Sequence, residues 1–298
     1  MRIYRKKWIE KNTSSLEGKT VAISGATGGI GAELCRYLAF LGASLILLDR
    51  NREKSSALKE RLQKEFPSLS VSLVSLDLSD MSTVKAAAEA LSIAEPDALI
   101  LNAGAYHVPR YKCEGGLDNV FQINFAAPYY LVRELLPTVE KKGGRVVAVG
   151  SIAHNYSKID ERDIDFSTRS KSSLVYGNAK RFLMFSLYGL FEGSEGLAIT
   201  HPGITFTNIT AHYPPLIFAI IKHPMKVIFM KPSVACLSIL RGLFEHTGKN
   251  EWIGPKVFNV WGMPKKKVLR TCDDTEAEKI CAVAEDIFQK MRGDITTI

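Results

Sequence analysis

Hydrophobic positions in the first half of the chain form short runs that are separated by amphipathic stretches. Runs rich in Val, Ile, Leu and Ala occupy residues 20–24, 44–49, 71–76, 98–102 and 145–150. Such runs are typical of strands buried on both faces of a parallel sheet. Between them apolar residues recur at helical spacing, for example within 30–41 and 117–135. This alternation predicts a doubly wound α/β fold: a mostly parallel sheet of about seven strands with helices on both faces.

The second half of the chain continues the same order. Its pattern predicts helices over about 174–192 and 232–246, a strand near 197–200 and a short final strand near Trp252 or Val257. A last helix over about 274–291 places Ile280 and Ala284 on one face, so we expect it to dock on the body of the protein. No repeat or linker interrupts the 298 residues, and a single domain over 1–298 is expected.

The composition excludes several classes of protein. Hydrophobic residues make up 46% of the chain and charged residues 23%, which is unlike a disordered or fibrous protein. The five cysteines form no C-x-x-C pair, so neither a disulfide framework nor a metal site is expected. Reduced thiols, and a basic start without an apolar signal region, predict a cytoplasmic protein.

The net charge of +8 is concentrated in two segments, residues 1–20 and 255–270. These segments are either a surface for nucleic acid or anionic lipid, or two solvated basic flanks. We favour solvated flanks, and expect no nucleic-acid partner, because no aromatic residues interleave with the charges in the manner of a nucleic-acid module.

A glycine-rich turn, Gly25-Ala-Thr-Gly28-Gly29-Ile-Gly31, joins the first predicted strand to the first amphipathic helix. Glycines allow a tight turn and a close approach of the backbone to phosphate, and a helix N-terminus attracts anions. The alternative is a purely structural turn. We predict a dinucleotide site whose first contacts are Gly25, Thr27, Gly29, Ile30 and Gly31.

Two residues at the end of the second predicted strand bear on the choice of cofactor. Asp49 is placed to accept hydrogen bonds from ribose hydroxyls and to repel a 2′-phosphate, which favours NAD. Arg50 follows it and is able to bind that phosphate, so NADP remains the alternative. A helix cap or a surface acid is the other interpretation of Asp49.

Further motifs follow in a fixed order along the chain. They are Ser24-Gly25-(x)3-Gly29-x-Gly31, Asp77, Asn102-Ala103-Gly104, Asn124, Ser151, Tyr176-(x)3-Lys180 and Pro202-Gly203. In this order they resemble the short-chain dehydrogenase/reductase family, and most closely its retinol-dehydrogenase-like branch. The resemblance implies a Rossmann fold, an NAD(P)-dependent oxidoreductase, and a homodimer or homotetramer built through two central helices. It also implies cofactor contacts at Asp77, Leu78, Asn102, Ala103, Gly104, Tyr176, Lys180, Pro202, Gly203, Thr205 and Thr207.

Tyr176 and Lys180 lie four residues apart and therefore share one face of a helix. An ordinary tyrosine has a pKa near ~10 and is a poor base at neutral pH. An ammonium about 5 Å away would lower that pKa by about two units, close enough to neutrality for general acid–base work. The resemblance assigns Ser151 to the substrate oxygen. Two chemically attractive neighbours, His154 and His201, are expected to be structural.

Asn124 precedes Pro128 by four residues. Because proline has no N–H, the backbone carbonyl of Asn124 loses its helical hydrogen-bond partner. The resemblance implies that an asparagine here links the lysine to a water of a proton relay. The alternative is a proline kink in a packed helix.

The apolar segment 214–230 lies where the resemblance places a substrate lid, about 205–232. Two lysines, His223 and Pro224 interrupt it, so no transmembrane span is expected. A lid of this kind predicts a small lipophilic alcohol or ketone as substrate, such as a steroid, retinoid or fatty-chain compound. A buried helix or a subunit contact is the alternative, and with the basic flanks the lid could also touch a membrane surface.

We therefore predict an oxidoreductase that moves a hydride between NAD(H) and a secondary alcohol or ketone. The spacing of Gly25, Gly28 and Gly31 also fits nucleotide-sugar epimerases and dehydratases. An enzyme of that class is the second hypothesis. A non-catalytic NAD-binding scaffold is the third.

Overall fold

The protein is described here by a computed structural model that covers residues 3–205, 230–269 and 271–293. The strands of this part of the chain are β1 (Thr20–Ser24), β2 (Ser44–Asp49), β3 (Val71–Ser75), β4 (Ala98–Leu101), β5 (Arg145–Val149), β6 (Leu197–Thr200), β7 (Glu251–Val257) and β8 (Trp261–Val268). They form one eight-stranded sheet in the order β3-β2-β1-β4-β5-β6-β7-β8. All neighbouring pairs are parallel except β7 and β8, which are antiparallel. The predicted fold class is confirmed, with one strand more than expected.

The order of the strands reverses between β1 and β4. β1 pairs with β2 on one side, through Ser24 and Leu48, and with β4 on the other, through Ile23 and Ile100. The connections from these strands leave in opposite directions, so a crevice opens at their carboxyl ends. This is the edge of the sheet at which the glycine-rich turn begins.

Helices cover both faces of the sheet. They are α1 (Ile3–Asn12), α2 (Gly29–Phe40), α3 (Arg52–Glu65), α4 (Met81–Ala94), α5 (119–142), α6 (Ser172–Leu190), α7 (Pro232–Gly242) and α8 (Asp274–Arg292). Within α5 the segment Gln122–Ala126 is π-helical, and a 3₁₀ turn, Ile152–Tyr156, precedes α6. Helices α1, α2, α3 and α7 contribute to one hydrophobic core, and α4, α5, α6 and α8 to the other. None of the described helices is long and apolar enough to cross a membrane.

Helix α8 packs across α5 and α6. Its Ile280, Ala284 and Phe288 are buried, and Phe288 lies against Tyr130 of α5. Apart from Tyr176, every residue of α6 from 175 to 188 is buried within the chain. The homo-oligomer that the resemblance implies stays a prediction, and one built through α5 and α6 would have to displace α8.

Candidate active site

The glycine-rich turn is held in a shape that two of its residues can adopt only as glycine. Gly25 has a φ of +67°, and its N–H donates to the carbonyl of Leu48. A Cβ on Gly31 would lie 2.2 Å from the carbonyl oxygen of Gly25. Gly28, the N-cap of α2, has no side chain to occupy the N–H groups of the first helical turn. The turn is therefore a cradle for an anion such as a pyrophosphate.

A cavity of about 650 Å³ opens above this turn at the carboxyl ends of β1, β2 and β4. Its size and its glycine-lined floor fit a nicotinamide dinucleotide. The predicted cofactor residues that line it are Gly25, Thr27, Gly29, Ile30, Gly31, Asp49, Arg50, Asp77, Leu78, Asn102, Ala103 and Gly104. The loop after β4 adds Val108, Pro109 and Tyr111, which no sequence signal marked.

Asp49 is buried at the end of β2 and bound to the glycine-rich turn. Its Oδ1 accepts hydrogen bonds from the Thr27 N–H (3.2 Å) and hydroxyl (2.9 Å), and its Oδ2 accepts one from the Ser55 hydroxyl (3.3 Å). Burial raises the pKa of Asp49, and these hydrogen bonds oppose the rise. Asn51 caps α3, so the helix-cap interpretation of Asp49 does not apply. Arg50 beside it is exposed.

Two other predicted residues have structural partners as well as a place in the cavity. Asp77 accepts hydrogen bonds from the N–H and hydroxyl of Ser79 and closes the turn that precedes α4. The side-chain amide of Asn102 donates to the carbonyls of Ser24 and Gly25, each at 3.0 Å. Asn102 thus braces the glycine-rich turn from the neighbouring strand.

Ser151, Tyr176 and Lys180 converge at the carboxyl end of β5. Ser151 follows this strand, and its hydroxyl lies close enough to the Tyr176 side chain to lower the pKa of the phenol. The Lys180 ammonium lies 5.8 Å from the centroid of the Tyr176 ring and donates to the carbonyl of Val149 at 2.9 Å. The structure therefore brings together the three groups that the sequence marked as a proton donor, a cation and a hydroxyl.

The protonation behaviour of this cluster differs from the sequence-based expectation. The pKa of Tyr176 is raised to about 12, mainly by burial, with a lowering by the Ser151 hydroxyl and a smaller rise from the nearby Tyr106. Burial also lowers the pKa of Lys180 to about 8. The expectation that the ammonium brings the phenol pKa toward neutrality is corrected: desolvation disfavours the charged form of both groups.

Asn124 lies in the π-helical part of α5 and is fully buried. Its amide donates to the carbonyls of Ala105 and Val120 at 2.8 Å, and its Oδ1 accepts from the Ala105 N–H at 3.3 Å. A Cβ on Gly104 would lie 2.7 Å from Asn124 Oδ1 and 3.7 Å from Lys180 Nζ. Gly104 therefore lies where the edge of the cavity meets Asn124 and Lys180. A side chain at this position would clash with Asn124.

The remaining predicted contacts lie after β6. Gly203 has a φ of +79°, and Thr205 forms a bridge with Met230. Pro202 precedes Gly203 and is buried. Thr207 and most of the proposed lid, 206–229, lie outside the described residues.

A buried ion pair behind Ser151 was not predicted. Arg181 Nε donates to Glu276 Oε1 at 2.8 Å, and Arg181 Nη1 donates to the carbonyl of His154 at 2.9 Å. His154 in turn contacts the Ser151 carbonyl through Nδ1 and the Thr271 hydroxyl through Nε2. Arg181 and Glu276 are separated by 95 positions, so no local pattern could have paired them. The segment that follows Ser151 is thereby tied to the first turn of α8.

Comparison with known proteins decides the family. Residues 19–160 match the family model described as short chain dehydrogenase. The chloroplastic short-chain dehydrogenase TIC 32 A of Brassica napus is 30% identical over 222 residues, which cover 68% of this chain and 69% of that protein. The chain belongs to the short-chain dehydrogenase family.

Two further relatives refine this placement. Retinol dehydrogenase 12 of Mus musculus is 31% identical over 202 residues, covering 65% of this chain and 64% of that protein. This short-chain dehydrogenase thus resembles a retinol dehydrogenase and spans less than two thirds of that relative's length. The crystal structure of an uncharacterised protein from Mycobacterium paratuberculosis is 26% identical, with a TM-score of 0.72 over 93% of this chain and 95% of the other.

Proposed function

We propose that this short-chain dehydrogenase is an NAD(H)-dependent oxidoreductase that interconverts a secondary alcohol and a ketone of a lipophilic substrate. The observation that carries the proposal is the convergence of Ser151, Tyr176 and Lys180, with Lys180 beside Gly104 of the glycine-lined cavity. A bound nicotinamide supplies the donor or acceptor of the hydride. The residues of this chain supply orientation and a proton.

Each polar group of the cluster has a separate task. The Ser151 hydroxyl orients the substrate oxygen and stabilises the charge that develops on it. Because its pKa is raised to about 12, Tyr176 is protonated at neutral pH and ready to donate its proton to a carbonyl oxygen. Lys180 holds the cofactor ribose and stabilises the phenolate that remains, and Asn124 connects the lysine to solvent.

The proposed preference for NAD rests on Asp49. Its carboxylate lies at the end of β2 and lines the cavity, where it opposes a second anion such as a 2′-phosphate. The exposed Arg50 offers the alternative. We expect Asp49→Ser to weaken NAD use relative to NADP, and Arg50→Ala to affect mainly NADP, as measured by kcat/KM with each cofactor. A wild-type protein that prefers NADP and loses this preference in Arg50→Ala would overturn the assignment to NAD.

The substrate class is proposed from the sequence of the lid. The segment 214–230 is apolar and follows β6 in the sequence, where the resemblance implies a lid, and this favours a steroid-, retinoid- or fatty-chain-like alcohol or ketone. A cytoplasmic location, peripheral membrane contact and a homo-oligomeric assembly belong to the same proposal.

The direct test is a screen of lipophilic and hydrophilic alcohols and ketones, each with NAD(H) and NADP(H), that monitors the absorbance of the reduced nicotinamide. We expect turnover with a lipophilic compound. Tight cofactor binding without substrate-dependent change would refute an oxidoreductase and favour the scaffold. Conversion of a nucleotide sugar with the cofactor returned to its starting redox state would favour the epimerase class instead.

A further inference from the structure

The hairpin formed by β7 and β8 projects from the edge of the sheet that carries the cavity. β7 pairs with the parallel strand β6 through Ile253 and Thr200, the last residue of β6. It then continues for four residues to Val257, about 13 Å farther at ~3.3 Å per residue. β8 returns antiparallel from Trp261. Residues 257–261, here called the hairpin tip, therefore lie beyond the carboxyl ends of the parallel strands.

The hairpin tip exposes an unusual amount of apolar surface. Phe258 is 84% exposed, Val257 44% and Trp261 41%. Val257 and Trp261 are directly opposite each other in the ladder, so their side chains lie on one side of the hairpin. An isolated exposed hydrophobic residue needs no explanation, but three within five residues at a projecting turn form a patch that indicates a binding surface.

The backbone conformation of the hairpin tip is unfavourable for the phenylalanine at position 258. Phe258 and Asn259 have φ values of 49° and 59°, and the Val260 N–H donates to the Val257 carbonyl at 2.9 Å, so the turn is of type I′. Asn and Gly suit such a position, whereas a bulky residue in the left-handed region is strained. Phe258 is thus unfavourable both in conformation and in exposure, which argues that its ring serves a purpose outside the fold.

The charge around the tip has one sign. No Asp or Glu occurs from residue 252 to residue 272, and four lysines lie in this hairpin. Lys256 and Lys265 are exposed. The Lys267 ammonium donates to the Asn259 side chain at 2.8 Å, which puts a positive charge beside the turn itself. Lys266 is paired with Glu251 at the opposite end of β7.

We propose that the hairpin tip inserts into the surface of an anionic lipid bilayer. A convex tip with Trp, Phe and Val flanked by lysines matches the interface of a bilayer, where aromatic rings sit at headgroup depth and amines bind anionic headgroups. The carbonyl of Val260 in the tip would lie 2.8 Å from a Cβ on Gly203, in the loop that follows β6. Docking of the tip therefore brings the substrate side of the crevice to the lipid surface. It names the surface for the peripheral membrane contact proposed above and does not depend on the oxidoreductase activity.

Vesicle binding tests this proposal without cofactor or substrate, so the outcome is independent of the proposed reaction. The purified chain is sedimented with vesicles of phosphatidylcholine alone and of phosphatidylcholine mixed with phosphatidylserine. We expect binding to the mixed vesicles that weakens with salt. In a Trp8→Phe background, the emission of Trp261 shifts to shorter wavelength on binding, since the third tryptophan, Trp252, is buried already.

Phe258→Asn is the decisive variant, because asparagine tolerates a positive φ. We expect its vesicle partition coefficient to fall about tenfold or more, with an unchanged or higher thermal midpoint. Lys256→Gln is expected to lose about fivefold on the phosphatidylserine vesicles only. The matched control is Ile93→Asn: Ile93 is 85% exposed but lies near the C-terminus of α4, at the amino edge of the sheet. The Ile93→Asn variant should bind vesicles as the wild type does.

Several results would overturn the proposal. One is a wild type that does not sediment with either vesicle, and another is Phe258→Asn with unchanged partitioning. A loss in Ile93→Asn as large as that in Phe258→Asn would show that any exposed apolar residue suffices. Self-association of the lipid-free chain that Phe258→Asn abolishes would assign the tip to a second copy of the chain instead of a membrane.

Discussion

Removing the carboxylate of Glu276 tests whether the buried ion pair fastens α8 to the segment after Ser151. Arg181 is 1% exposed and Glu276 8%, so Glu276→Ala leaves a guanidinium buried without its counter-ion. Breaking a buried pair from one side costs about 3–5 kcal/mol of unfolding free energy. The entropy of unfolding is about 2.1 cal/mol/K per residue, which amounts to about 0.6 kcal/mol/K for 298 residues. The thermal midpoint should therefore fall by about 5–8 °C.

The assay is thermal unfolding followed by circular dichroism at neutral pH, with Glu285→Ala as the control. Glu285 lies on the same helix and pairs with Arg133 at 2.9 Å, but the two side chains are 40% and 24% exposed. Exposed pairs contribute below about 1 kcal/mol, which corresponds to less than about 2 °C here. If Glu276→Ala loses no more stability than Glu285→Ala, the buried pair does not fasten these elements and the reasoning from burial is wrong.

Two further predictions concern the cradle and the pH dependence of stability. Gly31→Ala places a Cβ 2.2 Å from the Gly25 carbonyl and should abolish NAD binding measured by calorimetry, whereas Gly115→Ala, with no atom within 4 Å of its Cβ, should bind normally. Burial lowers the pKa of His154 and of His201 to about 4. The unfolded chain binds these protons at a higher pH than the folded chain does. The free energy of unfolding is therefore at its full value above about pH 6.5 and decreases as the pH falls toward 4, by up to about 3 kcal/mol for each histidine. Denaturant titrations across this pH range should show the loss of unfolding free energy. His201→Phe preserves the stacking on Trp252 and should make the unfolding free energy less dependent on pH. An equally steep pH dependence in this variant would contradict a buried neutral His201.

Most of the parallel strands could be predicted closely because they are nearly continuous apolar runs that end at a polar residue or a glycine. The sequence placed β1, β2 and β6 at the bounds that the structure has, and β3, β4 and β5 within one residue at their carboxyl ends. The glycine-rich turn could be predicted equally well, since steric limits at Gly25 and Gly31 exclude other residue types. These features can be recognised from the residues of each element itself.

The features that escaped prediction depend on contacts distant in sequence or on solvent exposure. β8 reads Trp-Gly-Met-Pro-Lys-Lys-Lys-Val and lacks an apolar run, because an edge strand faces water and tolerates proline and lysine. α1 is too polar to show a helical stripe. The protonation of Tyr176 depends on burial, which the four-residue spacing to Lys180 cannot reveal. The binding of Asp49 by Thr27 and Ser55 likewise required the folded turn.

The central claim is that Tyr176 delivers the proton in an NAD(H)-linked reaction, and a comparison of Tyr176→Phe with Tyr106→Phe tests it most directly. Both rings lie at the same site, 5.2 Å apart between centroids, and the Ser151 hydroxyl lowers the pKa of the Tyr176 phenol. With a ketone substrate, NADH consumption by Tyr176→Phe should fall about 10²- to 10⁴-fold while NADH affinity stays unchanged, and Tyr106→Phe should retain most of the rate. A Tyr176→Phe protein that consumes NADH at the wild-type rate would contradict the account.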